Sequence, residues 1–214
     1  MTIDHVMSAA PVIPVLVLDG SIDPVALAEI LVAAGLPVLE VTLRTPQALD
    51  SIRAMASVPG AIVGAGTVLN KAMLGAAIDA GSRFIVSPGL TEPLGLAAIA
   101  SGVPFLPGIA NAGDIMRGLD MGLDRFKFFP AEASGGLKAL AALAGPFGDI
   151  RFCPTGGITP DSAPSWLAHP SVRCVGGSWI VKAGDYDLAA IGERARVAAA
   201  LAPGSTKVST RSLT

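Results

Sequence analysis

Apolar runs of period two alternate, along most of this 214-residue chain, with Ala- and Leu-rich segments of helical period. The β-rich runs begin near Pro11, Pro37, Ala61, Ser82, Val103, Asp124, Ile150 and Val172, so successive starts lie 21 to 26 residues apart. That spacing fits one strand plus one helix per unit. Eight such units predict an α/β fold of the (β/α)₈ TIM-barrel type over residues 11–202. Residues 1–10 are expected to form a short helix or arm before it, and the polar stretch 203–214 a flexible tail. A doubly wound sheet is the competing architecture, because periodicity does not show closure. Its dinucleotide fingerprint is missing, however: Gly64-Ala65-Gly66 lacks the third glycine at the required spacing. Asp23-Pro24 opens the helix after the first strand, a cap residue followed by proline, and Gly35 ends it.

Two strands carry charge where a barrel should be apolar. In Arg125-Phe126-Lys127-Phe128-Phe129, one phase holds Phe126 and Phe128, which suits packing against helices. Lys127 then points into the lumen, together with Arg125 and Phe129. An ammonium is costly to bury unpaired, and desolvation favours the neutral amine, a nucleophile toward carbonyl carbon. The bland reading is a lysine snorkelling to solvent, but a closed barrel offers no free strand edge for that escape. In Val38-Leu39-Glu40-Val41-Thr42-Leu43-Arg44, the apolar phase is Leu39, Val41 and Leu43, so Glu40, Thr42 and Arg44 face inward. Two readings stay open: a structural Glu40–Arg44 ion pair, or a base with an anion clamp. Strand geometry separates the two Cα atoms by about 13 Å, leaving Glu40 deep and Arg44 at the rim.

Glycine marks the ends of other strands. Gly64-Ala65-Gly66-Thr67 would let a ligand approach the backbone, with the Thr67 hydroxyl at the rim or bonded to its own turn. Ser87-Pro88-Gly89 and Leu106-Pro107-Gly108 stiffen the same rim. Two Gly-Gly turns, Gly156-Gly157 and Gly176-Gly177-Ser178, follow the last two strands. Backbone N–H groups there, supported by helix N-termini, would suit a phosphate.

Composition narrows the possibilities. The chain is 51% hydrophobic and 15% charged, which excludes disorder. A net charge of −2 and no basic block argue against nucleic acid or an anionic membrane surface as partner. Mean hydropathy is high, +0.61. The longest uncharged stretch, residues 93–113, is broken by Gly102, Pro104, Pro107 and Gly108, so it reads as helix–turn–strand rather than a membrane span. The excess apolar surface predicts an oligomer. The N-terminus carries no basic, apolar and cleavable signal pattern, which makes the cytoplasm the expected location. Cys153 and Cys174, with no CxxC and only His5 and His169, predict neither a disulfide framework nor a metal site.

Several motifs together resemble the bacterial 2-keto-3-deoxy-6-phosphogluconate (KDPG) and 2-keto-4-hydroxyglutarate (KHG) aldolases. They are Leu39-Glu40-Val41-Thr42-Leu43-Arg44-Thr45, Gly64-Ala65-Gly66-Thr67-Val68-Leu69-Asn70, Ser87-Pro88-Gly89-Leu90-Thr91-Glu92-Pro93, the lysine strand, Cys153-Pro154-Thr155-Gly156-Gly157-Ile158 and Gly176-Gly177-Ser178-Trp179. The resemblance runs over roughly residues 10–190, in the family's order. It implies a class I, Schiff-base aldolase, a homotrimer without metal or other cofactor, that splits KDPG into pyruvate and glyceraldehyde 3-phosphate in the Entner–Doudoroff route. By resemblance Lys127 forms the imine, Glu40 moves the proton, and Arg44 and Thr67 hold the pyruvyl carboxylate. Gly156, Gly157 and Ser178 take the phosphate, while Pro88, Phe129 and Thr155 line the pocket. The rivals are aldolases for 4-hydroxy-2-oxoglutarate or the galactonate analogue, and a phosphate-binding barrel that is an isomerase or catalytically silent.

Overall fold

Each β-rich run does form a strand, and all the strands are parallel. The structure, a computed structural model, describes residues 1–184 and 186–201; the expected tail at 203–214 lies outside the described residues. The strands are β1 (Val12–Leu16), β2 (Val38–Thr42), β3 (Ile62–Gly66), β4 (Ile85–Val86), β5 (Phe105–Leu106), β6 (Gly108–Ile109), β7 (Arg125–Phe128), β8 (Arg151–Phe152) and β9 (Val175–Gly177). They start within three residues of the expected positions, and among the described residues there are nine because Pro107 interrupts the fifth. Proline has no N–H to donate, so the ladder breaks there into β5, paired with β4, and β6, paired with β7.

Closure follows from the pairings. One sheet has the order β5-β4-β3-β2-β1-β9 and the other β6-β7-β8. The continuous β5–Pro107–β6 segment joins them on one side. Bridges between Phe152 and Val172 and between Thr155 and Gly176 join β8 to β9 on the other. This is a (β/α)₈ barrel, and the eighth strand position pairs regularly only from Val175, three residues beyond the expected start.

The helices form where their caps and apolar faces predict. In α2 (Pro24–Ala33), the Asp23 side chain accepts from the Val25 N–H, and Pro24 occupies the first turn. Asn70 and Asn111 cap α4 (Lys71–Asp79) and α6 (Ala112–Asp120) in the same way. The remaining helices are α3 (Ala48–Met55), α5 (Glu92–Ser101), α7 (Gly136–Ala144), α8 (Ala163–Leu167) and α9 (Leu188–Ala199). Together they cover the outer face of the sheet, where Val12, Leu16, Leu39, Val41, Phe126 and Phe128 are buried.

A second apolar cluster fills the lower lumen: Ile13, Val38, Ile62, Phe84, Val86, Leu106, Cys153 and Cys174. The N-terminal helix α1 (Ile3–Ser8) closes that end by inserting Val6 and Met7. Asp4 fastens it, accepting from Arg125 Nε at 2.6 Å and Nη2 at 3.0 Å. That paired geometry holds the Asp4 carboxyl below its usual range.

Candidate active site

Lys127 and Glu40 reach each other across the lumen. Strand β7 supplies one and β2 the other, and Lys127 Nζ donates to Glu40 Oε1 at 2.8 Å. Lys127 is 6% exposed and Glu40 3%, so the pair is dry and its charges answer each other. The lysine is therefore inside, as the strand phase implies, but it has a partner. The structural Glu40–Arg44 pair is not formed. Arg44 is exposed at the rim, and its Nε donates to Thr67 Oγ1 at 3.3 Å. Thr67 adopts φ +60°, unusual for a β-branched residue. Its hydroxyl meets the arginine rather than its own turn.

The glycines beside these groups serve neighbours rather than an approaching ligand. A Cβ on Gly66 would stand 2.7 Å from Glu40 Cγ, and one on Gly64 would stand 2.6 Å from Phe84 Cγ. Both overlaps are prohibitive, so these positions are small because the Glu40 side chain and the Phe84 ring occupy that space. Thr42, another inward residue of β2, is fully buried and donates to Leu16 O at 2.9 Å, which ties β2 to β1. Beneath the pair, Cys153 and Cys174 are free thiols. Hydrogen bonding of the Cys174 thiol to Cys153, together with burial, pushes that thiol well above its usual range.

Above the pair lies a cleft of about 220 Å³ lined by Arg44, Phe129, Thr155, Gly156, Gly157 and Ser178, along with Val15, Val17, Ile158 and Gly176. The Phe129 ring links the two levels, its centroid 5.4 Å from Lys127 Nζ. Gly156 (φ +102°) and Gly157 (φ +80°) are both left-handed, which turns successive backbone groups along the cleft. A Cβ on Gly176 would lie 2.7 Å from Thr155 Cγ2, so glycine there admits the threonine.

Helix N-termini do not support these turns. Among the described residues, helix α8 begins only at Ala163 and α9 only at Leu188, well past each Gly-Gly, so what the turns bring to the cleft is loop backbone and the Ser178 side chain. Pro88 lines a different cleft, with Val68, Leu69, Gly89 and Leu90, and its carbonyl packs on Gly108. Val15, Val17 and Ile158 belong to the cleft without having been singled out from the sequence. The inward phase Ile13-Val15-Val17 of the first strand carries the signal that finds two of them. Among the described residues, no group of three or more His, Cys, Asp or Glu side chains could hold a metal ion. No helix among them is long and apolar enough to cross a membrane.

A lysine–carboxylate pair under a cleft with an arginine and a glycine turn at its mouth suits imine chemistry on a keto acid with an anionic tail. Comparison with known proteins agrees. The sequence profile of the KDPG and KHG aldolases matches residues 3–194. The 2-dehydro-3-deoxy-phosphogluconate aldolase of Zymomonas mobilis subsp. mobilis is 61% identical over 198 residues, covering 92% of this chain and 95% of that protein. A crystal structure of the Zymomonas mobilis 2-keto-3-deoxy-6-phospho-gluconate aldolase superposes with a TM-score of 0.92 at 60% identity, over 94% of this chain and 98% of its own. The KDPG aldolase of Legionella pneumophila, solved with pyruvate captured at low pH as a covalent carbinolamine intermediate, is similar at 41% identity and a TM-score of 0.90, over 93% and 98% of the two chains. By profile, sequence and fold, this chain belongs to the KDPG and KHG aldolase family.

Proposed function

We propose that this protein is a class I aldolase that cleaves 2-dehydro-3-deoxy-6-phosphogluconate to pyruvate and D-glyceraldehyde 3-phosphate. The observation that carries the reading is the buried Lys127–Glu40 contact, 2.8 Å long, joined through the Phe129 ring to a cleft edged by Arg44 and two left-handed glycines. Lys127 gives up a proton to Glu40 and its amine adds to the C2 carbonyl, forming a carbinolamine. Glu40 returns that proton to the carbinolamine hydroxyl, which leaves as water, so an iminium forms and Glu40 is again a carboxylate. Glu40 takes the C4 hydroxyl proton as the C3–C4 bond breaks, and the bonding pair flows into the iminium to give an enamine. The aldehyde departs, the enamine is reprotonated at C3 through Glu40, and hydrolysis frees pyruvate. The iminium is the electron sink, so the sequence of steps calls for neither metal nor cofactor.

Arg44 and Thr67 hold the pyruvyl carboxylate, and Gly156, Gly157 and Ser178 hold the phosphate; Phe129 and Thr155 form the wall between them. Pro88 acts on the pocket by stiffening the neighbouring rim. Because the family covers KHG as well, 4-hydroxy-2-oxoglutarate is the second substrate to test, and the galactonate analogue the third; a preference for phosphorylated substrates is expected from the cleft. A phosphorylated sugar acid is confined to the compartment that makes it, which makes the cytoplasm the expected setting. Exposed Leu69, Leu96, Ile99, Met116 and Leu119 support self-association as a homotrimer. Met116→Lys with Leu96→Lys should lower the mass seen by light scattering, and an unchanged mass would remove that surface from the interface.

Incubating the protein with pyruvate and borohydride tests the whole reading. A reduced adduct on Lys127, located by peptide mass spectrometry, is expected. Recovery of unmodified Lys127 would defeat the reading; without aldolase activity it would favour the isomerase or silent sugar-phosphate binder.

A further inference from the structure

The loop proposed to cradle phosphate has few means of holding itself. Gly156 and Gly157 are consecutive left-handed residues without side chains, and no helix N-terminus follows them directly. What holds the loop comes from the turn after β7. The Ala131 N–H donates to Thr155 O at 2.8 Å and the Glu132 N–H to Gly156 O at 3.1 Å, continuing the β7–β8 pairing past the end of both strands. The Glu132 side chain then lies against the loop: a Cβ on Gly157 would stand 2.7 Å from both its Cβ and its Cγ. Its carboxylate reaches on to α8, where Oε1 accepts from Trp166 Nε1 at 3.0 Å.

Trp166 is 2% exposed and packs on Phe128, centroids 6.4 Å apart, in the same strand as Lys127. A buried indole N–H requires an acceptor, and Glu132 is the one it has. One side chain thus touches the glycine loop and bonds the helix that follows it, whose Trp166 packs on the strand that carries Lys127. A glycine turn can present its N–H groups in many directions, and binding gains when one direction is fixed beforehand.

We infer that Glu132 is a positioning residue for the phosphate loop, which sets the enzyme's preference for a substrate ending in a phosphate monoester over its unphosphorylated counterpart. The inference rests on the function proposed above, and the experiment separates the two. Glu132→Ala, Glu132→Gln and Trp166→Phe are assayed with phosphorylated and unphosphorylated 2-keto-3-deoxy acid, and a separate sample of each is trapped with pyruvate and borohydride to show that Lys127 still forms the imine. Glu132→Ala should raise KM for the phosphorylated substrate roughly tenfold while the unphosphorylated reaction shifts by less than about twofold, the loss of one hydrogen bond with a charged partner. Glu132→Gln keeps an acceptor for the indole and should restore KM. Trp166→Phe keeps most of the ring volume but not the donor, and should reproduce the split more weakly. Equal losses on both substrates, or an unchanged preference in both Glu132→Ala and Trp166→Phe, overturn the inference. Failure of the unaltered protein to be trapped takes down the aldolase reading itself, and this inference with it.

Discussion

The lumen and the rim of this barrel are built from different parts of the chain. In the lumen, the working atoms belong to side chains on strands: Glu40 from β2 and Lys127 from β7, locked by their contact and by apolar neighbours such as Phe84. At the rim, backbone turned by Gly156 and Gly157 and steadied by residues from another loop lines the cleft beside Arg44, Thr155 and Ser178. Bond-making needs atoms fixed closely relative to one another, and strands supply that. Holding an anion needs several donors converging on one point, which backbone turns supply without charge. Damage to the lumen should therefore strike kcat, and damage to the rim should strike KM.

The severest test of that division is Lys127→Arg, which keeps a cation opposite Glu40 and removes the nucleophile. Turnover should fall on the order of 10⁴-fold or more, with no borohydride adduct, while the circular dichroism spectrum is kept. Gly66→Ala comes next, because its methyl would displace Glu40 without touching substrate. We expect kcat to drop about a hundredfold at nearly constant KM. A variant as fast as the parent protein would mean that the carboxylate does not need its position. Gly157→Ala acts on the rim, where the φ of +80° and the Glu132 stem both oppose a side chain. Strain of about 1–2 kcal/mol in the loop should appear as a KM increase of roughly tenfold for the phosphorylated substrate. A kcat effect without a KM effect would erase the division.

Asp4→Asn, far from both regions, is the mildest. Asp4 is half exposed, so its pair with Arg125 is worth less than about 1 kcal/mol, measured as a small shift in the urea midpoint. Its carboxyl is held below the usual range by the arginine's hydrogen bonds. The stabilisation is thus present above the ordinary carboxyl pKa and is lost as pH falls through the lowered one. The parent and Asp4→Asn proteins should converge in stability toward acid.

Strand phase made much of this legible in advance. Phe126 and Phe128 outside imply Lys127 inside, and Leu39 and Val41 outside imply Glu40 inside; both hold. What phase cannot give is which inward residues meet, since that depends on how far strands are staggered around the barrel. Glu40 could have paired along its own strand with Arg44 and instead crosses to Lys127. Nor does a small residue reveal what it makes room for. Gly64 and Gly66 suggested a ligand, and their space belongs to Phe84 and Glu40. The support of the glycine turns was also misjudged from sequence, because a loop's length before its helix is poorly marked; Glu132 carried no local signal, its role arising from contacts 24 to 34 residues distant.

Helix α1 stoppers one end of the barrel with Val6 and Met7, leaving the lysine at the bottom of a blind well. A molecule that enters such a well keto end first must leave in reverse order. The aldehyde fragment, nearer the mouth, has to go before the pyruvyl fragment can, and any second aldehyde that arrives meanwhile finds the enamine still in place. In the proposed mechanism the covalent enamine sets that order, and a short, chemically idle segment closes the end of the barrel opposite the cleft.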